Sequence, residues 1–319
     1  MIYFFRHHRW TSGLLAFLIL LLFITKMIRP EFGFSGLDSL ARAALPYAFA
    51  TAAMAVVVLA GGIDLSVAAM MAVCGVSAAV LMKSGSDDGI AFAVLSTLFI
   101  GFFMGAMNGA LIVVSRVPDI VVTLAMLFVW QGVALLVLDG PGGAASPWLR
   151  QLMVGGVGVP GLEGLPKALV AVIVAIALFW APIRRSRLGL MIYAVGSDTL
   201  SAFRSGIPTG RVRVMAYAIA GLFSAFGGLS LTLMTGVGEP VPGPYLLASV
   251  AAVVLGGVAL SGGKGGLFGP ILAVYVLRLL RLDLTLMSVD PNVATIIEGT
   301  IMVMVVMLGG VLMMRERRA

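Results

Sequence analysis

Between Leu45 and Met82 the chain runs for 38 residues with a single charge, Asp64. As one helix at 1.5 Å per residue that run would reach about 57 Å, nearly twice the ~30 Å hydrocarbon core of a bilayer. A stretch this apolar belongs in lipid or in a protein core, and one this long has to break. Gly61 and Gly62 supply the place, because glycine adopts helix-ending backbone conformations at no steric cost. Asp64 or Ser66 can then cap the following segment by accepting its free N–H groups. A second reading of Asp64 is direct contact with a polar solute in transit, since acids inside membrane segments are costly and default to function. A proton- or sodium-coupling role is the third, and no second acid stands beside it.

The rest of the chain agrees with a membrane location. Of 319 residues 61% are hydrophobic and 11% charged, with a mean hydropathy of +1.11, which fits an all-α polytopic membrane protein. The 40 glycines suit close helix packing in lipid, where small residues let backbones approach. Residues 1–10 followed by an apolar run have the outline of a signal peptide, but no small-residue cleavage site follows. Residues 11–28 are therefore expected to be an uncleaved first helix, with His7 and His8 as interfacial companions of Arg6 and Arg9. Further apolar segments fall at 41–60, 65–82, 89–113, 119–138, 165–182, 214–236, 244–260, 267–282 and 292–313. That predicts about ten transmembrane or partly spanning helices in a single transmembrane domain over 1–319, with both termini on one side.

If each segment crosses, 13 of the 21 Lys and Arg fall on the side of the termini and 8 on the other. The positive-inside rule then makes the termini and the 183–213 loop cytoplasmic, and it accounts for the basic pI without nucleic acid. The 139–164 loop, rich in Gly and Pro and carrying Trp148, is expected outside. Within 183–213 a short helix is expected from Thr199 to Ser205, capped by Ser197 or Asp198. Leu200 and Phe203 share one of its faces. That apolar pair on a basic loop suits docking to a partner, or folding back onto the protein's own helices.

The candidate chemistry is sparse, and no enzyme site is expected. Both histidines lie in the N-terminal tail, Cys74 is the only cysteine, and "GGKGG" at 262–266 lacks the spacing and Ser/Thr of a phosphate-binding loop. Gly101, Gly105 and Gly109 form a smooth groove for a neighbouring helix, and Asn108 beside them is placed for an interhelical hydrogen bond. Glu298 needs a partner, and Arg278 or Arg281 lies near the same end. Finally, "AVVVLAGGIDLS" at 55–66 echoes "AAVVLGGVALSGG" at 251–263 with one residue deleted, which puts Ala259 where the first copy has Asp64. Paired interrupted helices are a pointer to a transport pathway.

Five stretches carry a resemblance: "GGIDLSV" at 61–67, "GAMNGALIV" at 105–113, "VPDIVVTLAM" at 117–126, "YAVGSDTLSAFRSGIPTGRVR" at 193–213 and "VAAVVLGGVALSGGKGGLFGP" at 250–270. Together they resemble the membrane permease subunits of bacterial ABC importers for ribose-type monosaccharides, the second carbohydrate-uptake class. The resemblance implies a fold like that of the vitamin-B12-type (type II) importers and a bacterial inner-membrane location. It also implies three partners: a second permease subunit in a homo- or heterodimer, a cytoplasmic ATP-binding cassette that uses ATP and Mg, and a periplasmic solute-binding protein. This chain itself is expected to bind no cofactor. On that analogy Ser197, Asp198, Leu200, Phe203, Arg204 and Ile207 form the coupling element, Trp148 faces the binding protein, and Gly61, Gly62, Asp64, Ser66, Asn108 and Tyr245 belong to the helix break or pathway. The chain departs from the pattern at Pro244 to Ala248, where two acids are lost, at Ser197-Asp198, and at Arg278 and Arg281. These departures suggest one member of a heteromeric pair. The competing functional classes are an ion-coupled secondary transporter, using Asp64 and Glu298, and a non-transporting structural paralogue.

Overall fold

The computed structural model describes residues 9–83, 87–158, 164–241 and 243–316. Arg6, His7, His8, Arg317 and Arg318 lie outside these residues, so the interfacial role expected of the histidines falls outside them too. The described backbone is helical, with two isolated β-bridges and no strand. The helices are α1 Arg9–Ile28, α2 Phe34–Leu59, α3 Val67–Met82, α4 Asp87–Ser115, α5 Asp119–Val137 and the short α6 Pro147–Gln151. They continue with α7 Lys167–Arg185, which contains a π-helical turn at Ile176–Trp180. The remainder are α8 Arg187–Ser197, α9 Thr199–Arg204, α10 Thr209–Thr235, α11 Tyr245–Leu255, α12 Phe268–Leu286 and α13 Pro291–Glu316.

Six of these, α1, α2, α4, α5, α7 and α10, are long and apolar enough to cross a membrane, and α3 and α11 are shorter apolar helices. α12 has the length but carries Arg278, Arg281 and Asp283. Most segment ends agree with the hydropathy reading to within a few residues. Three differ by five residues or more: α10 starts at Thr209 rather than 214, and the other two differ for identifiable reasons. α2 starts at Phe34 rather than near 41, because Asp38 and Arg42, one turn apart, form an ion pair at 3.1 Å that lets polar residues remain helical. α11 stops at Leu255 rather than 260, because Gly256 and Gly257 end it.

The core is built by α2, α3 and α10. α2 is buried from Ala48 to Leu59, and Tyr217 and Phe223 of α10 are fully buried. α4 meets α10 through glycine: a Cβ at Gly105 would overlap the Tyr217 carbonyl, and one at Gly221 would overlap the Gly101 carbonyl. The glycine groove read from the sequence is thus filled by α10, with backbones in direct van der Waals contact. By contrast α1, α5 and α7 leave large apolar side chains such as Phe23, Phe128 and Leu178 exposed, as lipid-facing helices do.

Loops close the two ends of the bundle. At one end Gly142 and Gly238 exchange backbone hydrogen bonds of 3.0 and 2.8 Å, and Ala144 donates to Ala79 O at 3.0 Å. There Asp38 also accepts from the Gly155 N–H at 3.1 Å, and Arg150 donates to Leu233 O at 3.1 Å. At the other end the α2–α3 and α11–α12 connections meet the end of α8, which leads directly into α9.

Candidate functional site: two interrupted helices and a short helix beside them

α2 ends in a Schellman turn. The Gly61 N–H donates to Val58 O at 2.9 Å and the Gly62 N–H to Val57 O at 3.0 Å, with Gly61 left-handed at φ +80°. That is the pairing this turn uses to satisfy the last carbonyls of a helix. α11 ends identically: Gly257 donates to Val254 O at 3.0 Å and Val258 to Val253 O at 3.2 Å, with Gly257 again at φ +80°. The sequence echo is therefore structural, but its register needs correction. No residue is deleted: Leu59 matches Leu255, Gly61 matches Gly257, and the counterpart of Asp64 is Leu260 rather than Ala259.

Asp64 follows the first turn and is fully buried. Its Oδ1 accepts from the Ser66 N–H at 2.8 Å and the Ser66 hydroxyl at 2.6 Å. Ser66 Oγ in turn accepts from Asn108 Nδ2 at 2.7 Å, and Asn108 Oδ1 accepts from Trp130 Nε1 at 3.1 Å. The donors form one directed chain, Trp130 to Asn108 to Ser66 to Asp64, which ties the break to α4 and α5. This corrects the capping expectation. Ser66 occupies the N-cap position of α3 but makes no capping bond with its side chain, because its hydroxyl is committed to Asp64 and Asn108. Asp64 fixes the residue before α3 rather than the free N–H groups of the helix itself.

The turn's other backbone groups are met by residues that sequence reasoning did not single out. Thr123 Oγ1 accepts from the Leu65 N–H at 3.1 Å and lies 3.3 Å from Ile63 O. Tyr217 Oη donates to Asp119 Oδ2 at 2.9 Å and lies 3.3 Å from Ile63 O, while Arg213 pairs with Asp119 at 3.4 Å. A Cβ at Gly62 would press on both Asp119 Oδ2 and Tyr217 Oη, at 2.6 and 2.7 Å, so glycine is what admits this cluster. The available signal was in "VPDIVVT", where Asp119 and Thr123 stand one helical turn apart.

The short helix α9 adjoins this end. Asp198 caps it, accepting from the Leu200 N–H at 2.9 Å and the Ser201 N–H at 3.0 Å. Those bonds, with that from the Ser201 hydroxyl, hold its carboxyl below the usual carboxylate range. Ser197 is not the cap; its hydroxyl donates to Tyr193 O at 2.9 Å. Leu200 and Phe203 are exposed, at 58% and 65%, while Ala202 is buried beneath them. Arg204 closes the helix, and Ile207, half-buried, returns its N–H to Ala202 O at 3.1 Å. The apolar pair thus points away from the protein's own helices.

The remaining expected residues lie elsewhere. Trp148 is exposed on α6, at the opposite end from α9. Tyr245 is buried at the start of α11, its ring 4.5 Å from that of Tyr47. Tyr47 also lies 4.2 Å beneath the Arg278 guanidinium. Glu298 pairs with both arginines, Arg278 and Arg281, the latter at 2.7 Å. Behind these arginines is a cavity of about 580 Å³, lined also by Arg29, Glu31 and Ser39. The structure therefore separates two groups: Gly61, Gly62, Asp64, Ser66 and Asn108 form one connected site near α9, and Tyr245 belongs to a different cluster.

Two glycine-broken helices inside a helical bundle, six of whose helices are long and apolar enough to cross a membrane, make this a multi-pass membrane protein, and the comparisons give its class, a transport permease. The chain belongs to the family described as branched-chain amino acid transport system / permease component, whose model matches residues 36–306. It is 32% identical over 258 residues to the ribose import permease protein RbsC of Bacillus subtilis, covering 80% of this chain and 78% of that one. Identity to RbsC of Escherichia coli K12 is 27% over 297 residues, 93% and 92% of the two chains. To the autoinducer 2 import system permease protein LsrD of E. coli K12 it is 28% over 256 residues, 79% and 77%. No solved structure matches the chain.

Proposed function

We propose that this chain is the membrane permease subunit of an ATP-driven, binding-protein-dependent importer, and that its solute is a monosaccharide or a related small polar molecule. The observation that carries the reading is α9: a capped one-and-a-half-turn helix presenting Leu200 and Phe203 outward beside Arg204, on the loop whose sequence resembles the family's coupling segment. The named relatives import ribose and autoinducer 2, which favours a sugar-like solute over the amino acids of the family's general description.

In this reading α9 and both termini are cytoplasmic, in keeping with Arg184, Arg185, Arg187, Arg204, Arg211 and Arg213 around it. About ten of the helices cross or partly cross the bacterial inner membrane in a vitamin-B12-type arrangement, α12 and α13 included, with Glu298 offsetting one of the two arginine charges on α12. A second permease subunit completes the core. A separate cassette subunit hydrolyses ATP with Mg and moves α9, and the helices alternate between outward- and inward-open states. Trp148, at the far end, meets a solute-binding protein. An ion-coupled mechanism is less well supported, because Glu298 commits both oxygens to arginine, which leaves Asp64 Oδ2, buried and without a protein partner, as the one free carboxylate oxygen of the two acids it would use.

Phe203→Asp tests the reading. It places a charge in the apolar contact while leaving the cap at Asp198 intact, so the helical content of the purified protein is expected to be unchanged. ATP-driven uptake by proteoliposomes, screened with ribose and other labelled monosaccharides, should fall about tenfold or more, as loss of a central apolar interface residue does. Unchanged uptake of a transported sugar would remove α9 from the cassette contact.

A further inference from the structure

We infer that Gly196, with Gly61 and the Gly262-Gly263 pair, forms a side-chain-free joint through which α9 moves both interrupted helices together; these are positioning residues for the transport cycle. The inference rests on the reading of α9 as the cassette contact, and it adds how the motion proceeds from there. Gly196 lies two residues before the Asp198 cap, on the last turn of α8. A Cβ on it would overlap the Leu59 carbonyl and come within 2.7 Å of the Gly263 nitrogen. A Cβ on Gly61 would lie 3.3 Å from Gly196 Cα, and one on Gly262 would lie 2.6 Å from Gly196 O and 2.8 Å from Gly61 Cα. Three chain segments therefore touch backbone to backbone at one point: the end of α8, the break after α2 and the loop after α11.

A hydrogen bond locks them. Leu59 is the last residue of α2, and its carbonyl has no partner inside the helix; it accepts from the Gly263 N–H at 3.1 Å. The orphan carbonyl of the first break is thus satisfied by the loop of the second. A further bond runs from Tyr193 Oη, on the same α8, to Gly265 O at 3.0 Å. Side chains between two elements can change rotamer and absorb a displacement, whereas backbone in van der Waals contact has no such freedom. Rotation of α8–α9 therefore displaces both breaks at once.

The test uses the complete complex, both permease subunits with their cassette subunit, in proteoliposomes. Cys74 is the only cysteine of this chain and is buried, so with cysteine-free partner subunits a reporter introduced by Leu260→Cys, at a position 41% exposed beyond the second break, can be labelled alone. In the reporter background its maleimide labelling rate should change severalfold between nucleotide-free and ATP-vanadate states. Gly196→Ala should abolish that change while the cassette subunit remains bound. Tyr193→Phe, which inserts no atom and so keeps the fold, should reduce it about threefold, the scale of one lost exposed hydrogen bond. Gly132→Ala, on α5 with nothing within 4 Å of the added methyl, should leave it intact.

If Phe203→Asp leaves the nucleotide response and the cassette contact intact, the α9 reading fails and the joint with it. If Phe203→Asp abolishes the response but Tyr193→Phe and Gly196→Ala both keep it, the joint is wrong and α9 stands. Should Gly196→Ala fail to assemble, Tyr193→Phe decides alone.

Discussion

Leu59 and Leu255 are each the last helical residue before a break, and each presents a carbonyl that its own helix leaves unused. The turns that follow have the same hydrogen bonds and the same left-handed glycine. What meets the carbonyl differs. Leu59 O accepts from a backbone N–H, that of Gly263, whereas Leu255 O accepts from a side chain, Trp10 Nε1 of α1, at 2.6 Å. The surroundings differ as well: the first break is followed by the Asp64–Ser66–Asn108–Trp130 chain, the second by a glycine loop in which Ala259 donates to Lys264 O at 3.1 Å. Since α11 breaks without any acid, Asp64 is not what breaks α2. Glycine ends both helices, and Asp64 serves to bind the first break to α4 and α5.

The sharpest way to separate those roles is to remove the carboxylate. Asp64→Leu loses two hydrogen bonds to a carboxylate and strands the Ser66 N–H in a fully buried site, a cost of about 3 kcal/mol. The apparent melting temperature of the detergent-solubilised protein should fall accordingly. Asp64→Asn retains an oxygen that accepts from Ser66 and should lose less than half as much. Equal losses for the two would mean that the charge, not the acceptor, is what the break requires.

Next in size comes the pair Gly61→Ala and Gly257→Ala. Both place a methyl on a left-handed residue, which costs about 1–2 kcal/mol by itself. At Gly61 the new Cβ also meets backbone, Gly196 Cα at 3.3 Å, while at Gly257 it meets Trp10 Cδ1 at 2.8 Å, the edge of a half-exposed ring that can turn aside by giving up its bond to Leu255 O, at a cost of about 0.5 kcal/mol. Gly61→Ala should therefore be the more destabilising in the same melting assay. The reverse order would mean that Trp10 is held more rigidly than the α8 backbone.

The sequence disclosed the breaks and concealed what joins them. Length arithmetic on the run from Leu45 to Met82, with Gly61-Gly62 inside it, was sufficient to locate the first interruption, because a helix has a fixed rise and a bilayer a fixed thickness. The Asp198 cap and the outward pair Leu200 and Phe203 were legible for a similar reason, as local rules of a single helix. Arg278 and Arg281, three residues apart, were equally visible as one face awaiting Glu298. Partners fixed by tertiary packing were not. Nothing in the spacing of Trp130 or Tyr217 tells that one donates to Asn108 and the other reaches Asp119. The register of the repeat is hidden because Gly61-Gly62 superposes in sequence on Gly256-Gly257, whereas a Schellman turn needs glycine at one position only; Ala60 and Gly256 both serve at the other. The meeting of Gly61, Gly196 and Gly263 was also hidden, since a glycine records only that something is close and not what.

The smallest expected effect concerns the donor that only the second break uses. Trp10→Phe removes the N–H that meets Leu255 O and keeps most of the ring against Gly257. Trp10 is 42% exposed, so water can reach part of the vacated position, and the loss should lie at the low end for a hydrogen bond, about 0.5 kcal/mol. The change reaches function by a different route from the joint at Gly196, because Trp10 touches the second break without touching the first. If the two breaks move as one body through Gly263, Trp10→Phe should slightly loosen the second break in every state and leave the nucleotide-dependent change in labelling at position 260 unaltered. A selective loss of that change in Trp10→Phe would show that α1, rather than the backbone contact with α8, controls how the second break responds.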